Sequence, residues 1–190
     1  MHLRKSFLVF LLLSLLFHFS VGADEEKFPY FSDLPNPSFT EREPPYEGTR
    51  KQIEHQAYYL NIRYPYHSVR VEKEAGLFMK FSLGNETQKP ISFKVLRLEL
   101  SHGQEIFPIK PFFYDQTTGE KKEGWEDLKN YEHEIQPDVH REISVLVSEL
   151  AAGEESLVLD LEIEISYQEK TDTLKEHLVL YRGYYGARPQ

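Results

Sequence analysis

Between Leu157 and Tyr167 the chain alternates strictly. Leu157, Leu159, Leu161, Ile163, Ile165 and Tyr167 take one parity, and Val158, Asp160, Glu162, Glu164 and Ser166 take the other. Successive side chains of a strand point to opposite faces, so this period puts one face in a core and the acidic one in water. On a helix the same residues would scatter around the axis. A chain with such a run must build a half-buried sheet, and the rest of the sequence has to supply what covers it.

Other segments repeat the pattern. Leu77, Met79, Phe81 and Leu83 share one face, as do Ile143, Val145 and Val147. Ile91, Phe93 and Val95 occupy odd positions, whereas Leu96, Leu98 and Leu100 occupy even ones. That change of parity predicts a β-bulge, or a strand that changes sheets, near Val95 and Leu96. Further strands are predicted at Tyr58 to Tyr64, Val69 to Lys73, Glu105 to Tyr114 and Leu174 to Arg182. Gly84-Asn85 offers turn chemistry and Pro90 marks re-entry. With no amphipathic helix of useful length, the pattern predicts an all-β fold. The expected form is an antiparallel β-sandwich of seven to eight strands, immunoglobulin-like or fibronectin-like, over residues 57–183. The Cys-Trp-Cys arrangement of antibody domains is absent, so the likeness is one of architecture only.

The flanks differ in texture. Arg4 and Lys5, the apolar run Phe7 to Phe17 broken only by Ser14, and the small residues Gly22 and Ala23 follow the three-part export pattern. Residues 1–23 are therefore predicted to be a signal peptide, with the mature chain starting at Asp24. The alternative, an uncleaved anchor, needs about 20 apolar residues to cross a bilayer, and this run is much shorter. No cysteine follows the cleavage site, which excludes lipid attachment through one. Residues 24–56 are acidic and broken by Pro29, Pro35, Pro37, Pro44 and Pro45, and read as a disordered spacer. Residues 184–190 read as a flexible tail.

The whole chain carries a net charge of −9, and removing the two basic residues of the signal makes the mature form more acidic still. Phosphate backbones attract basic patches, so nucleic acid is excluded as a natural partner. The lack of any cysteine also excludes disulfide scaffolds and cysteine-ligated metals, and tilts the reading toward a bacterial envelope. The expected localisation is secreted or periplasmic, soluble once the signal is cleaved, with no transmembrane segment remaining.

No motif announces catalysis. The nearest approach to a zinc motif, His133-Glu134-Ile135-Gln136-Pro137, has proline where the second histidine belongs, so the histidines are read as surface residues and no metal is expected. Asp160, Glu162 and Glu164 have the spacing of paired acid and base, but alternating acids on an exposed sheet face need only solubility to explain them. No nucleophile turn or glycine-rich phosphate loop occurs, so neither a catalytic residue nor a cofactor is assigned. Asn85-Glu86-Thr87 is a formal glycosylation acceptor and is read here as a turn.

Two segments read as binding surfaces. One is the charged stretch around Trp125, the only tryptophan, which serves either as an exposed anchor or as a plug over the open end of the sandwich. The other is the C-terminal set Tyr181, Arg182, Tyr184 and Tyr185, whose aromatics and cation suit a sugar or a partner surface. The function expected from these features is that of an exported, non-catalytic binding or protein-interaction module of the cell envelope, its partner another envelope protein or a glycan. The alternatives are a loop-site enzyme acting on envelope glycans, and a structural accessory domain joined to its partner by edge-strand addition.

Overall fold

In the computed structural model, which describes residues 27–38, 45, 47–68, 76–115 and 118–186, the alternating runs are strands of one antiparallel sheet. These are β1 (Lys27–Ser32), β2 (Arg50–Glu54), β3 (Tyr58–Ser68), β4 (Gly76–Asn85), β5 (Ile91–His102), β6 (Glu105–Ile106), β7 (Ile109–Tyr114), β8 (Lys121–Glu123), β9 (His133–Ile135), β10 (His140–Val147), β11 (Ser156–Tyr167) and β12 (Lys170–Gly186). One short helix, α1 (Trp125–Asn130), follows β8, and a 3₁₀ turn, Glu149–Gly153, precedes β11. The hydrogen-bonded order is β6-β5-β11-β12-β1-β3-β4-β10-β7-β8, with β2 added to β3 and β9 to β5. The expected count of seven to eight strands is thus too low. The additions, β1, β2, β8 and β9, are six residues or fewer, too short to display a period in the sequence, and the strand expected at Glu105 to Tyr114 is divided into β6 and β7.

The sheet curls because every long strand buries the same face. Leu157, Leu159, Leu161, Ile163 and Ile165 of β11 join Leu60 and Ile62 of β3, Phe81 and Leu83 of β4, and Ile143 and Val145 of β10 in a single apolar core. Full burial of such side chains contributes about 1.5–3 kcal/mol each. Near the two ends of the strand order, α1 packs against both β5 and β7, so the sheet closes toward itself. The bulge expected in β5 is present: Val95 pairs with Ile163 and Arg97 with Glu162, leaving Leu96 as the extra residue, turned outward. Its exposure frees Leu98 and Leu100 to return to the core.

The spacer expectation is overturned at both ends of residues 24–56. β1 pairs with β12 over six residues, from Lys27 with Gly186 to Ser32 with Tyr181, and buries Phe28, Tyr30 and Phe31. Pro29 is tolerated because β1 touches β3 only at Tyr30 with Tyr66, so one edge of the strand makes few demands for amide donors. The chain then leaves the sheet, Asp33 N donates to Gly48 O at 2.9 Å to close the excursion, and β2 takes over the same edge of β3 from Arg63 to Tyr59. The expected tail is likewise strand as far as Gly186. The signal peptide, the Asp24 start, the candidate strand Val69 to Lys73 and the last four residues lie outside the described residues.

Asn85 is buried at the end of β4. Its Nδ2 donates to Lys89 O and Ile135 O at 2.8 and 2.9 Å, while its Oδ1 accepts from the backbone and hydroxyl of Thr87. The amide organises the turn from inside, and in the folded chain it is closed to modification.

Candidate functional site

β12 changes neighbours at Tyr181. Its first part, as far as Tyr181, is paired with β11, and its last six residues are paired with β1. Where β1 ends, β2 stays with β3 and β12 stays with β11, so the sheet opens between them. Among the described residues no strand pairs with the second edge of residues 170–180 or with the second edge of β2.

The opening has a defined lining. Lys51 of β2 reaches across it to Glu176 of β12 at 2.6 Å. Ile53, Leu174 and Leu178 pack against the core but stay partly buried, whereas Leu159, Leu161 and Ile163 on neighbouring β11 are closed off completely. Tyr64 lies buried, its hydroxyl donating to Asp33 Oδ2 at 2.8 Å. Burial first, then the Asp33 hydrogen bond and the charges of Asp33 and Glu176, raise its phenol well above the ordinary range, so it stays protonated as a donor. At the turn end of β12, His55 stacks on Tyr58 at 4.5 Å and Tyr167 stands edge-on to both. The Tyr167 hydroxyl donates to Asp172 Oδ2 at 2.6 Å, a bond that pushes the phenol up to about 12. A row of backbone donors and acceptors beside partly covered leucines can accept an extended segment in register, which is strand addition.

No family model and no curated protein sequence matches this chain. Two solved structures resemble it loosely. A FixG-related protein from Vibrio parahaemolyticus aligns over 66% of this chain and 97% of its own, at 9% identity and a TM-score of 0.32. The ASH or PapD-like domain 7 of human CEP192 aligns over 85% and 86%, again at 9% identity, with a TM-score of 0.26. At such scores neither bears on function.

The residues singled out in the sequence are not gathered in one place. Trp125 opens α1, half-buried against the core beside β5 and β7. Tyr181, Arg182, Tyr184 and Tyr185 lie on the part of β12 held by β1. Arg182 donates to the carbonyls of Ala152 and Gly153 at the 3₁₀ turn and lies 5.4 Å from the Tyr184 ring. The Tyr185 hydroxyl donates to His67 O, and Tyr184 is the most exposed of the four. Asp160, Glu162 and Glu164 line the outer face of β11, where Asp160 meets His177 at 2.7 Å and Arg97 at 3.4 Å, and Glu162 meets Lys175 at 2.8 Å.

Among the described residues no three His, Asp or Glu side chains gather as metal ligands, and no helix is long and apolar enough to cross a membrane. His133, expected at the surface, is completely buried. It stacks on Phe93 at 4.6 Å, touches Phe113 and Tyr131, and neither ring nitrogen has a hydrogen-bond partner. Burial, reinforced by the charge of Arg141, pushes its imidazole down to about 3 and holds it neutral. The opening itself escaped sequence reasoning, because it is formed by two edges separated by more than 110 residues and the only local signal, Ile53 in a proline-broken stretch, is a single residue.

Proposed function

We propose that this chain is an exported, non-catalytic protein-interaction module of the cell envelope, and that its curled sheet works as an immunoglobulin-like or fibronectin-like sandwich that takes a partner strand along β12. The carrying observation is the free edge of residues 170–180 beside incompletely buried Leu174 and Leu178. An exposed edge of that length invites pairing with another chain, and a partner strand would complete both the hydrogen bonding and the apolar cover. The three-part export pattern that ends at Ala23 in the sequence supports a secreted or periplasmic site of action.

Two experiments test the reading. A photo-cross-linking residue at Thr173 or Val179, introduced in the native envelope, should yield a discrete adduct with one protein, and the same residue at Thr118 should yield none. Adducts from neither edge position would contradict strand addition. N-terminal sequencing of the exported form should begin within two residues of Asp24, and recovery of the full-length chain in the membrane would contradict export in soluble form.

A further inference from the structure

Tyr59 is on the outer face of β3, opposite Glu54 of β2 on one side and Gly84 of β4 on the other. A Cβ at Gly84 would sit 2.1 Å from both Cε1 and Cζ of the Tyr59 ring and 2.5 Å from its hydroxyl oxygen, which lays the ring face down on the glycine. Its second face is turned outward. Two other partly exposed tyrosines are capped by cations, Tyr66 by Arg63 at 4.0 Å and Tyr184 by Arg182 at 5.4 Å. Among the described residues no ring and no cation lies on Tyr59. The ring lines an open cleft of about 390 Å³ with Gln52, Glu54, His55, Gln56 and Glu86, a lining without lysine or arginine. Gln52 donates to Glu54 at 2.9 Å, which leaves its amide oxygen, its second N–H and one Glu54 oxygen for other partners. His55 is engaged by the Ala57 N–H and the Tyr58 ring. Asn61, two residues from Tyr59 on the same face and directly opposite Gln52, continues the amides along the surface.

We propose that this cleft binds a neutral saccharide, one pyranose stacked on the outward face of Tyr59 with its hydroxyls on Gln52, Gln56, Glu86 and Asn61. The face of an aromatic ring is negative and attracts the C–H groups of a sugar face. Amides give and accept hydrogen bonds and carboxylates accept them, so together they match hydroxyls, which do both. The set of groups separates a saccharide from its rivals. A basic peptide would use the ring and the carboxylates, but exposed ion pairs contribute little in water and the amides would be idle. A nucleotide would use the ring and the amides, but its phosphates would meet Glu54 and Glu86 in a chain of net charge −9. A tyrosine laid on a glycine also stabilises a sheet, and that role accounts for one face of the ring only. The site uses no part of the β12 edge and does not depend on it.

An NMR titration of the mature chain with cellotriose tests the assignment, with pentalysine as the cationic probe and trigalacturonate as the anionic one. Cellotriose should shift the signals of Gln52, Gln56, Tyr59 and Asn61 to saturation, with an affinity that does not change with salt. Tyr59→Phe, which keeps the ring, should bind within about twofold of the native chain, whereas Tyr59→Thr should lose at least about tenfold. Glu86→Ala, at an exposed side chain, should weaken binding about threefold with an unaltered thermal midpoint, so the site is tested even if Tyr59→Thr loosens the sheet. Tyr184→Thr should leave binding unchanged. No saturable shift up to about 10 mM, shifts confined to another surface, tighter binding of pentalysine or trigalacturonate, equal losses in Tyr59→Phe and Tyr59→Thr, or full affinity in Glu86→Ala would each overturn the proposal. The Val179 cross-link should persist in Glu86→Ala, so failure here and failure of the strand-addition reading are separate results.

Discussion

The two parts of β12 are one continuous strand with opposite fates. Residues 181–186 are locked by β1: Tyr30 lies so close over Gly183 that a Cβ there would sit 2.5 Å from its ring, and Tyr185 is tied to His67 O. Residues 170–180 hold β11 with one edge and, among the described residues, have no strand on the other, with inward leucines only partly covered. A strand is therefore completed by its neighbours and not by its own sequence. The same strand is core where a neighbour is present and, where none of the described strands lies beside it, presents an unpaired edge.

The largest expected effect tests the inner face on which the open part depends. Ile163 is buried opposite Leu174, so Ile163→Asp should unfold the domain, because an unpaired charge in an apolar core costs several kcal/mol out of the roughly 5–15 that hold a domain together. Glu162→Gln, one residue away on the outer face, should stay within about 0.5 kcal/mol in chemical denaturation. Equal effects would refute the register of β11.

Next comes the locked part. Gly183→Val forces a side chain into the Tyr30 ring and should cost about 2–3 kcal/mol, whereas Thr173→Val on the open part should change stability by less than about 0.5 kcal/mol. If the two variants unfold at the same denaturant concentration, the halves are not different in kind.

His133 sharpens what being unpaired means. Backbone groups on the open edge can turn to water, but the two ring nitrogens of His133 are buried without a hydrogen-bond partner. Its imidazole titrates near 3 in the fold against about 6.5 in the unfolded chain, so stability is whole above about pH 6.5 and is lost as pH falls toward 3. By pH 5 the loss should be roughly 2 kcal/mol, and His133→Phe should abolish that part of the acid dependence. An unchanged pH profile in the variant would show that the imidazole is not held neutral by burial.

How much of this could be read in the sequence follows from the same contrast. β11 was legible because twelve residues with one face in the core display their period, and the bulge at Leu96 was legible as a change of parity. β1 was not, because Pro29 and the excursion after Ser32 resemble a spacer when the partner strand is more than 140 residues away. The turn at Gln168-Glu169 was missed for a local reason: both residues adopt positive φ, 46° and 64°, a conformation usually given to Asn or Gly. Tyr184 and Tyr185 resembled a frayed end for want of any visible neighbour. The candidate site was illegible altogether, since a free edge is an absence of pairing and only the assembled sheet reveals which strand lacks a neighbour. His133 was misread because polar residues are buried by their surroundings, here Phe93, Phe113 and Tyr131, and those come from three separate segments.

Amide hydrogen exchange along β12 of the isolated mature chain tests the central claim most directly. If residues 170–180 are an open edge, alternate amides between Thr171 and Val179 should exchange quickly while the intervening ones, bonded to β11, are protected, and the amides from Tyr181 to Tyr185 that face β1 should be among the slowest of the strand. Uniform protection from Thr171 to Val179 would mean that the edge is already covered, and β12 would have no place for a partner strand.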